Sequence, residues 1–212
     1  MFNNLTEIFD AVEKCEYVVL RNYEEFDDLN FLTSHPDIDF LCANRKELVE
    51  CLGLKPRVKK DDGIHYYTKV NDTKIAIDLR QTGDGYLDDS WQRNILKNRI
   101  KKQNFYVMDG KNYFYSLLYH VVIQKHKIGE DYAIRLKNMA DALGTEWDSD
   151  KPAAVLNRFM REEGYRYVYP EFAGTVFHKE RGDADLIEKN FKKEFARKWY
   201  SLTHKVSRKI KK

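Results

Sequence analysis

Hydrophobic and polar residues alternate along two stretches in the first half of the chain, a pattern that predicts β-strands. In residues 35–43 (HPDIDFLCA), Asp37 and Asp39 fall on one face of the predicted strand, and apolar residues occupy the opposite face. In residues 74–80 (KIAIDLR), the same period of two places Asp78 opposite three aliphatic side chains. Each predicted strand therefore combines an apolar face, suited to a protein core, with a face that carries carboxylates.

Turn and cap residues around these strands predict the other elements of the first half. Asn71 and Asp72 separate residues 64–70 (IHYYTKV) from the strand at 74–80, which indicates a β-hairpin. The remaining predictions are a helix over residues 5–15 capped by Thr6, a buried strand over 17–23, a helix between Asn44 and Gly53, a helix from near Leu87 and a strand over 104–108. This half is predicted to form a mixed sheet with flanking helices.

From residue 111 onward the apolar spacing is that of helices. Three packed helices are predicted over residues 111–128, 130–144 and 151–165, with Gly144 as a C-cap and Pro152 in a first turn. Residues 165–180 are irregular or strand-like, and we assign them no element. The sequence thus predicts an α+β fold whose C-terminal half is mainly helical.

Composition agrees with a folded domain and narrows the class of protein. The 212 residues are 42% hydrophobic and 33% charged, with 14 Tyr and 12 Phe, which suits a globular core and not a disordered chain. The three cysteines form no CxxC motif and indicate buried thiols in a reducing compartment. No apolar run reaches the roughly 18 residues that a membrane span needs, and residues 1–15 lack the apolar centre of a signal peptide, so we expect a cytoplasmic protein.

Positive charge is concentrated in the last helix, which is predicted to begin at about Asp183. Residues 189–212 carry ten Lys or Arg against one acid, whereas residues 1–188 have a net charge of −6 within a whole-chain charge of +3. Because this larger part is net acidic, we expect no nucleic-acid partner. The helix also has an apolar stripe at steps of three or four residues, formed by Phe191, Phe195, Trp199, Leu202, Val206 and Ile210.

Two interpretations of this basic amphipathic helix remain open. The stripe can pack on the body of the protein while the lysines are solvated. Alternatively, residues 191–212 can bind an anionic membrane surface, since a dense basic face suits anionic phospholipid.

The three aspartates of the alternating strands are the residues best suited to chemistry. Asp37 and Asp39 project the same way, so they can share a cation or bridge two, and Asp78 completes the set if its strand is a neighbour in the sheet. Such hard oxygen ligands favour Mg²⁺ or Mn²⁺. A pair of this spacing can also be merely solvated, but here each Asp lies in an apolar strand, where an unpaired carboxylate is costly to bury. The sequence therefore predicts a metal site.

The order of these segments resembles the nucleotidyltransferase fold of the DNA polymerase β superfamily over about residues 5–85. The resemblance rests on a strand that ends in a polar turn (YVVLRN), a DxD strand (PDIDFL) and a third Asp on a later strand (KIAIDLR). The wider pattern (LRNYE, DIDFL, IHYY, IDLRQTGDGYLDDSW and YFYSLLYHVVIQKHK) is similar to uncharacterised nucleotidyltransferase-like proteins of bacterial cell-surface polysaccharide clusters. The nucleotidyltransferase fold that the chain resembles is also that of more distant proteins, the fukutin and choline-phosphate transferase group. Since the spacing becomes helical at residue 111, we expect a nucleotidyltransferase-like catalytic domain over residues 1–110 and a helical domain over 111–212, which ends in the basic amphipathic helix.

In that family the first strand is followed by a Gly-Ser turn that grips a nucleotide triphosphate, the DxD binds both metals, and the third carboxylate activates the attacking hydroxyl. The resemblance implies that Asp37 and Asp39 are metal ligands and that Asp78 is the third ligand, on the side of the general base. In this chain Arg21 and Asn22 stand where Gly-Ser is expected. A guanidinium and an amide can contact phosphate oxygens, so we expect these two residues to orient the donor phosphate.

Four further residues are candidates for binding substrate, each with a structural alternative. His65 is either a satisfied hairpin residue or part of the cleft. Arg80 shares a face with Asp78 and forms either a structural ion pair or a phosphate contact. His120 and Lys125 lie in an apolar helix, where core packing competes with substrate binding.

The predicted function is that of a metal-dependent nucleotidyl- or phospho-polyol/sugar-phosphate transferase of cell-surface polysaccharide biosynthesis. It would use a nucleotide-activated donor and a glycan or polyol acceptor, in the cytoplasm or peripherally at the inner membrane face. A catalytically inactive nucleotide- or glycan-binding regulatory module of the same fold is the alternative, since the phosphate-gripping turn is altered. A third hypothesis, an RNA-directed nucleotidyltransferase, is disfavoured by the acidic net charge of residues 1–188.

Overall fold

The computed structural model describes residues 2–27, 31, 37–59, 61–125 and 127–210, with their side chains except at 25, 27 and 204–210. The chain divides into two compact units, Met1–Gly83 with Trp91–Tyr113 and Asp84–Ser90 with Phe114–Lys212. The division into a catalytic domain over 1–110 and a helical domain over 111–212 stays a prediction.

The first unit is built on a mixed sheet, which confirms the predicted α+β class. Its described strands are β1 (Tyr17–Val19), β2 (Asp37–Cys42), β3 (Lys55–Pro56), β4 (His65–Val70), β5 (Thr73–Gln81), β6 (Ile100–Lys102) and β7 (Phe105–Val107). They lie in the order β3-β4-β5-β2-β1-β7-β6. The pairs β2–β5 and β1–β7 are parallel, and the other neighbours are antiparallel.

Seven α-helices fall within the described residues. They are α1 (Leu5–Ala11), α2 (Arg45–Cys51), α3 (Asp89–Lys97), α4 (Gly110–Tyr119), α5 (Glu130–Leu143), α6 (Pro152–Glu162) and α7 (Phe191–Ile210). Short 3₁₀ turns occur at Tyr23–Asp27, Lys179–Arg181 and Ala184–Leu186. None of the described helices combines the length and apolar character needed to cross a membrane.

Local signals explain the β4–β5 hairpin and the ends of two helices. The turn residues Asn71 and Asp72 have positive φ angles of 44° and 65°, a conformation that Asn and Asp tolerate better than most residues. Asn44 caps α2, since its side chain accepts the backbone N–H of Glu47. Gly144 ends α5 in the left-handed conformation. These predictions are confirmed.

The first helix and the first strand are shorter than predicted. The N-cap of α1 is Asn4, whose side chain accepts the backbone N–H of Glu7 at 3.0 Å, and not Thr6. The strand predicted over residues 17–23 ends at Val19. Beyond it, Asn22 adopts a left-handed φ of 60°, which lies outside the β region, so a regular strand does not continue through it.

Boundaries also differ in the C-terminal half. The helix predicted over residues 111–128 changes to a π-helical turn at His120–Gln124 and ends there. The last helix begins at Phe191 and not near Asp183, which instead caps the 3₁₀ turn at Ala184–Leu186. The first residues of the strand predicted over 35–43 lie outside the described part of the chain.

The apolar side of the sheet forms the core of the first unit. Ile75, Ile77 and Leu79 of β5 have no exposed surface, whereas the residues between them are half-buried. On the same side, the ring of Phe40 lies 6.4 Å from that of Phe9 of α1. This packing anchors β2 and β5 by one face, so their aspartates project from the other.

Candidate active site

Parallel pairing of β2 with β5 brings the predicted metal ligands to one face of the sheet. Asp39 is the direct register partner of Asp78, and Asp37 is the partner of Ala76. Side chains of register partners point the same way, and neighbouring strands are about 4.8 Å apart. The condition that the two strands be neighbours is therefore met. We call this surface the carboxylate face.

Arg21 neutralises Asp39. Its Nε lies 2.9 Å from Asp39 Oδ2, and the two side chains are only 16% and 11% exposed. The contact follows from the sheet, because the backbone N–H of Leu20 donates to the carbonyl of Asp39 at 2.8 Å and places the next residue beside the carboxylate. The left-handed φ of Asn22 then turns the chain away. Asn is one of the few residues other than Gly that adopt this conformation readily.

Arg57 is the guanidinium partner of Asp78, and it was not among the residues predicted from the sequence. Its guanidinium donates to Asp78 Oδ1 at 3.1 Å. The backbone N–H of Arg57 donates to the carbonyl of His65 at 2.8 Å, which fixes the segment after β3 beside β4. The only sequence signal was the basic composition of residues 55–60.

His65 lies at the edge of the carboxylate face, with Asp62 as its partner. His65 is the register partner of Asp78 on β4, and its Nδ1 lies 2.6 Å from Asp62 Oδ2. Burial alone would raise the pKa of Asp62, but hydrogen bonds from the backbone and ring of His65 and from the backbone of Ile64 lower it below its usual range. The ring is therefore held in place by a charged carboxylate, which the sequence analysis also did not identify.

The surroundings of Asp78 change its pKa. Burial, and next the negative charge of Asp39, raise its pKa above the usual range, while His65, Arg57 and Arg80 act in the opposite direction. Arg80 is two residues along β5 and on the same face. The cations around Asp78 thus do not fully compensate its burial and its acidic neighbour.

The donor set suits a hard divalent cation, although the arginines engage two of its members. Asp39 and Asp78 offer carboxylate oxygens from neighbouring strands, and their mutual repulsion is the kind that a bound cation relieves. Within the described residues, no three His, Cys, Asp or Glu side chains are grouped as a metal ion would require. Since Arg21 and Arg57 already contact Asp39 and Asp78, a cation bound by these carboxylates would have to displace the guanidinium groups.

His120 and Lys125 belong to the second unit and have partners there. His120 Nδ1 lies 2.9 Å from Gln124 Oε1, and the amide of Gln124 in turn donates to the carbonyl of Tyr86 at 3.4 Å. The ammonium of Lys125 lies 5.3 Å from the ring centre of Tyr132. These contacts suit a structural role, and substrate binding by either residue stays a prediction.

Comparisons with known proteins give structural similarity at low sequence identity. No protein-family model matches the chain, and no curated protein matches it. The structure of the antibiotic-resistance factor ANT(2'')-Ia is 13% identical with a TM-score of 0.40, over 74% of this chain and 90% of that one. The structure of JHP933 from Helicobacter pylori is 11% identical with a TM-score of 0.42, over 74% of this chain and 72% of that one. Similarity of this degree transfers no function, so the interpretation depends on the residues of the site.

Proposed function

We propose that the chain is a metal-dependent transferase of phosphorus-containing groups, with Asp37, Asp39 and Asp78 as its metal ligands. The observation that carries the proposal is the parallel register that sets Asp39 against Asp78 on one face of the sheet, beside several cationic side chains. Mg²⁺ or Mn²⁺ bound there would neutralise the charge of a phosphate and stabilise the charge that develops during its transfer.

The arginines of the face are suited to hold the donor phosphate. Arg21 and Arg57 each contact a carboxylate through a guanidinium, which matches phosphate oxygens equally well. A bound phosphate would compete with the carboxylates for both arginines. Asn22 adjoins Arg21 and would contribute its amide, and Arg80 would add a third guanidinium on the same face.

Asp78 is the carboxylate that we expect to accept the proton of the attacking hydroxyl. It is half-buried, and it is the register partner of both Asp39 and His65, so it lies beside the proposed metal site. We further propose a nucleotide-activated donor and a glycan or polyol acceptor, as in cell-surface polysaccharide biosynthesis. This finer assignment is supported by the sequence resemblance alone.

A catalytically inactive nucleotide- or glycan-binding module is the second candidate. One observation favours it, since both carboxylates of the facing pair already have a guanidinium partner at 2.9 and 3.1 Å. Carboxylates neutralised in this way need no cation for the protein to fold.

The deciding experiment is a donor screen. The protein is incubated with CDP- and UDP-linked sugars and polyols in Mg²⁺ or Mn²⁺, and nucleotide release is followed by ³¹P NMR. We expect turnover that is lost in Asp39→Asn and Asp78→Asn and kept in Asp72→Asn, a control at the exposed turn of the same hairpin. Thermal stabilisation by nucleotides without turnover would favour the binding module. Absence of turnover, together with no thermal stabilisation by nucleotides or by glycans, would refute both candidates.

A further inference from the structure

Helix α7 presents its apolar stripe outward. The exposed fractions of Phe191, Phe195, Trp199 and Leu202 are 83%, 69%, 63% and 62%. Among the described side chains, these are the four most exposed large hydrophobic residues. The stripe members Val206 and Ile210 lie beyond the described side chains. A run of apolar side chains this exposed marks an interaction surface.

The opposite face of α7, which carries charged residues and Tyr200 in ring contact with Phe172, holds the helix to its own unit. Lys193 donates to the carbonyl of Tyr169 at 3.0 Å, and Arg197 donates to the carbonyl of Thr175. Glu194 accepts a hydrogen bond from Lys179 at 2.7 Å. These contacts replace the apolar packing considered from the sequence, and they orient the stripe away from its unit.

Lysines border the exposed stripe on both sides. At about 100° per residue, Lys192 lies next to Trp199 around the helix axis, and Lys198 lies next to Phe191 on the other side. The side chain of Lys198 is 73% exposed. Long lysine stems can lie along an apolar surface while their ammonium groups reach polar headgroups. The arrangement of apolar stripe, bordering lysines and a tryptophan is that of a helix lying in a membrane interface.

We propose that α7 binds the surface of an anionic phospholipid membrane, with its axis parallel to the membrane plane. Charge distinguishes this occupant from a second copy of the chain, because residues 189–212 carry ten basic residues and one acid. Two such segments would repel one another, whereas anionic lipid would attract each. The inference is independent of the proposed transferase function, since it rests on α7 alone.

Vesicle co-sedimentation tests the proposal with the full chain. With vesicles of phosphatidylglycerol and phosphatidylcholine (30:70), we expect binding that weakens in high salt, and little binding to pure phosphatidylcholine. Phe195→Ser and Trp199→Ser should each lower the partition coefficient by about tenfold or more, because each variant lacks a large apolar side chain that the wild type would bury in the interface. Ile134→Ser is the matched control, as Ile134 is 56% exposed on α5.

The bordering lysines should contribute only on anionic vesicles. Lys192→Gln and Lys198→Gln should each lower binding to the phosphatidylglycerol vesicles by about fivefold. Both variants should bind pure phosphatidylcholine vesicles as weakly as the wild type does. Since these side chains are exposed, the circular dichroism and melting temperature of every variant should equal those of the wild type.

Tryptophan fluorescence reports the insertion itself. Of the three tryptophans, Trp91 is fully buried and Trp147 is half-buried, so a blue shift on adding anionic vesicles should come from Trp199. Trp199→Phe should keep vesicle binding and lose the shift.

Three results would overturn the proposal. The first is no wild-type binding to phosphatidylglycerol vesicles at low salt, and the second is equal binding by the wild type and a Phe195→Ser/Trp199→Ser double variant. The third is a wild-type dimer in analytical ultracentrifugation that the double variant converts to a monomer, with no vesicle binding by either, which would identify a second copy as the occupant.

Discussion

Replacing Arg21 by alanine should destabilise the folded protein, because the change leaves the Asp39 carboxylate without its guanidinium partner. The two groups are 2.9 Å apart and only 16% and 11% exposed. Removing one member of a buried ion pair costs about 3–5 kcal/mol. Since this pair retains some contact with solvent, we expect a loss of about 2–3 kcal/mol. The unpaired Asp39 would also repel Asp78 more strongly.

A double-mutant cycle measures this quantity. Urea unfolding of the wild type, Arg21→Ala, Asp39→Asn and the double variant should give a coupling free energy of about 2 kcal/mol. Asp39→Asn alone should cost less than Arg21→Ala, because it also removes the charge that raises the pKa of Asp78. Arg158→Ala is the matched control, since it breaks an ion pair with Glu146 whose side chains are both exposed, and it should change the stability little.

Added Mg²⁺ provides a further measurement on the same variants. If a cation can take the place of the guanidinium, Mg²⁺ should stabilise Arg21→Ala more than the wild type, and this gain should vanish when Asp39 is also replaced. Equal stability of Arg21→Ala and Arg158→Ala, or additivity of the two changes in the cycle, would show that the ion pair of Arg21 and Asp39 does not stabilise the fold.

Three other predictions concern pH, thiol reactivity and backbone geometry. Burial and Asp39 raise the pKa of Asp78 above its ordinary 3.8, so the protonated group favours the folded state at acidic pH. As pH rises through the folded pKa, the wild type should lose stability in urea unfolding relative to Asp78→Asn. A stability difference between the two proteins that does not change with pH would contradict this. Burial, and next the Cys51 thiol 3.9 Å away, raise the pKa of Cys15 to about 12. Iodoacetamide at pH 8 should therefore label the exposed Cys51 before Cys15, and equal labelling rates in mass spectrometry would contradict this. Gly85→Ala would place a methyl group against the Tyr169 carbonyl. It should cost at least about 2 kcal/mol more in urea unfolding than Gly164→Ala, because Gly164 also has a positive φ but no atom near the added methyl group. Equal costs would show that the backbone around Gly85 shifts to accept the methyl group.

The carboxylate face was predictable because its signal is local. Alternation within each strand places Asp39 and Asp78 on polar faces, and Asn71-Asp72 marks the hairpin that contains β5. The sequence left open whether β2 and β5 are neighbours in the sheet, and it did not predict their relative direction. The structure shows that they are neighbours and parallel.

The partners of the carboxylates were harder to predict, because they depend on contacts between segments far apart in sequence. Arg57 reaches Asp78 across 21 positions, through a two-residue strand too short to have a pattern. In the last helix, the spacing identified the apolar stripe but not the side by which the helix docks. Hydrogen bonds of Lys193 and Arg197 to backbone carbonyls decide that side, and such contacts have no periodic signal. The expectation that all three cysteines are buried was wrong for Cys51, which lies exposed at the end of α2.

The central claim, a divalent cation held by the carboxylate face, is tested most directly by Mn²⁺ titration followed by electron paramagnetic resonance, in the presence of a nucleoside diphosphate. We predict saturable Mn²⁺ binding by the wild type and by Asp72→Asn, and its loss in Asp37→Asn, Asp39→Asn and Asp78→Asn with the fold retained. Equal Mn²⁺ affinity in all five proteins, or none in the wild type, would contradict the claim and show that these aspartates serve the structure of the sheet.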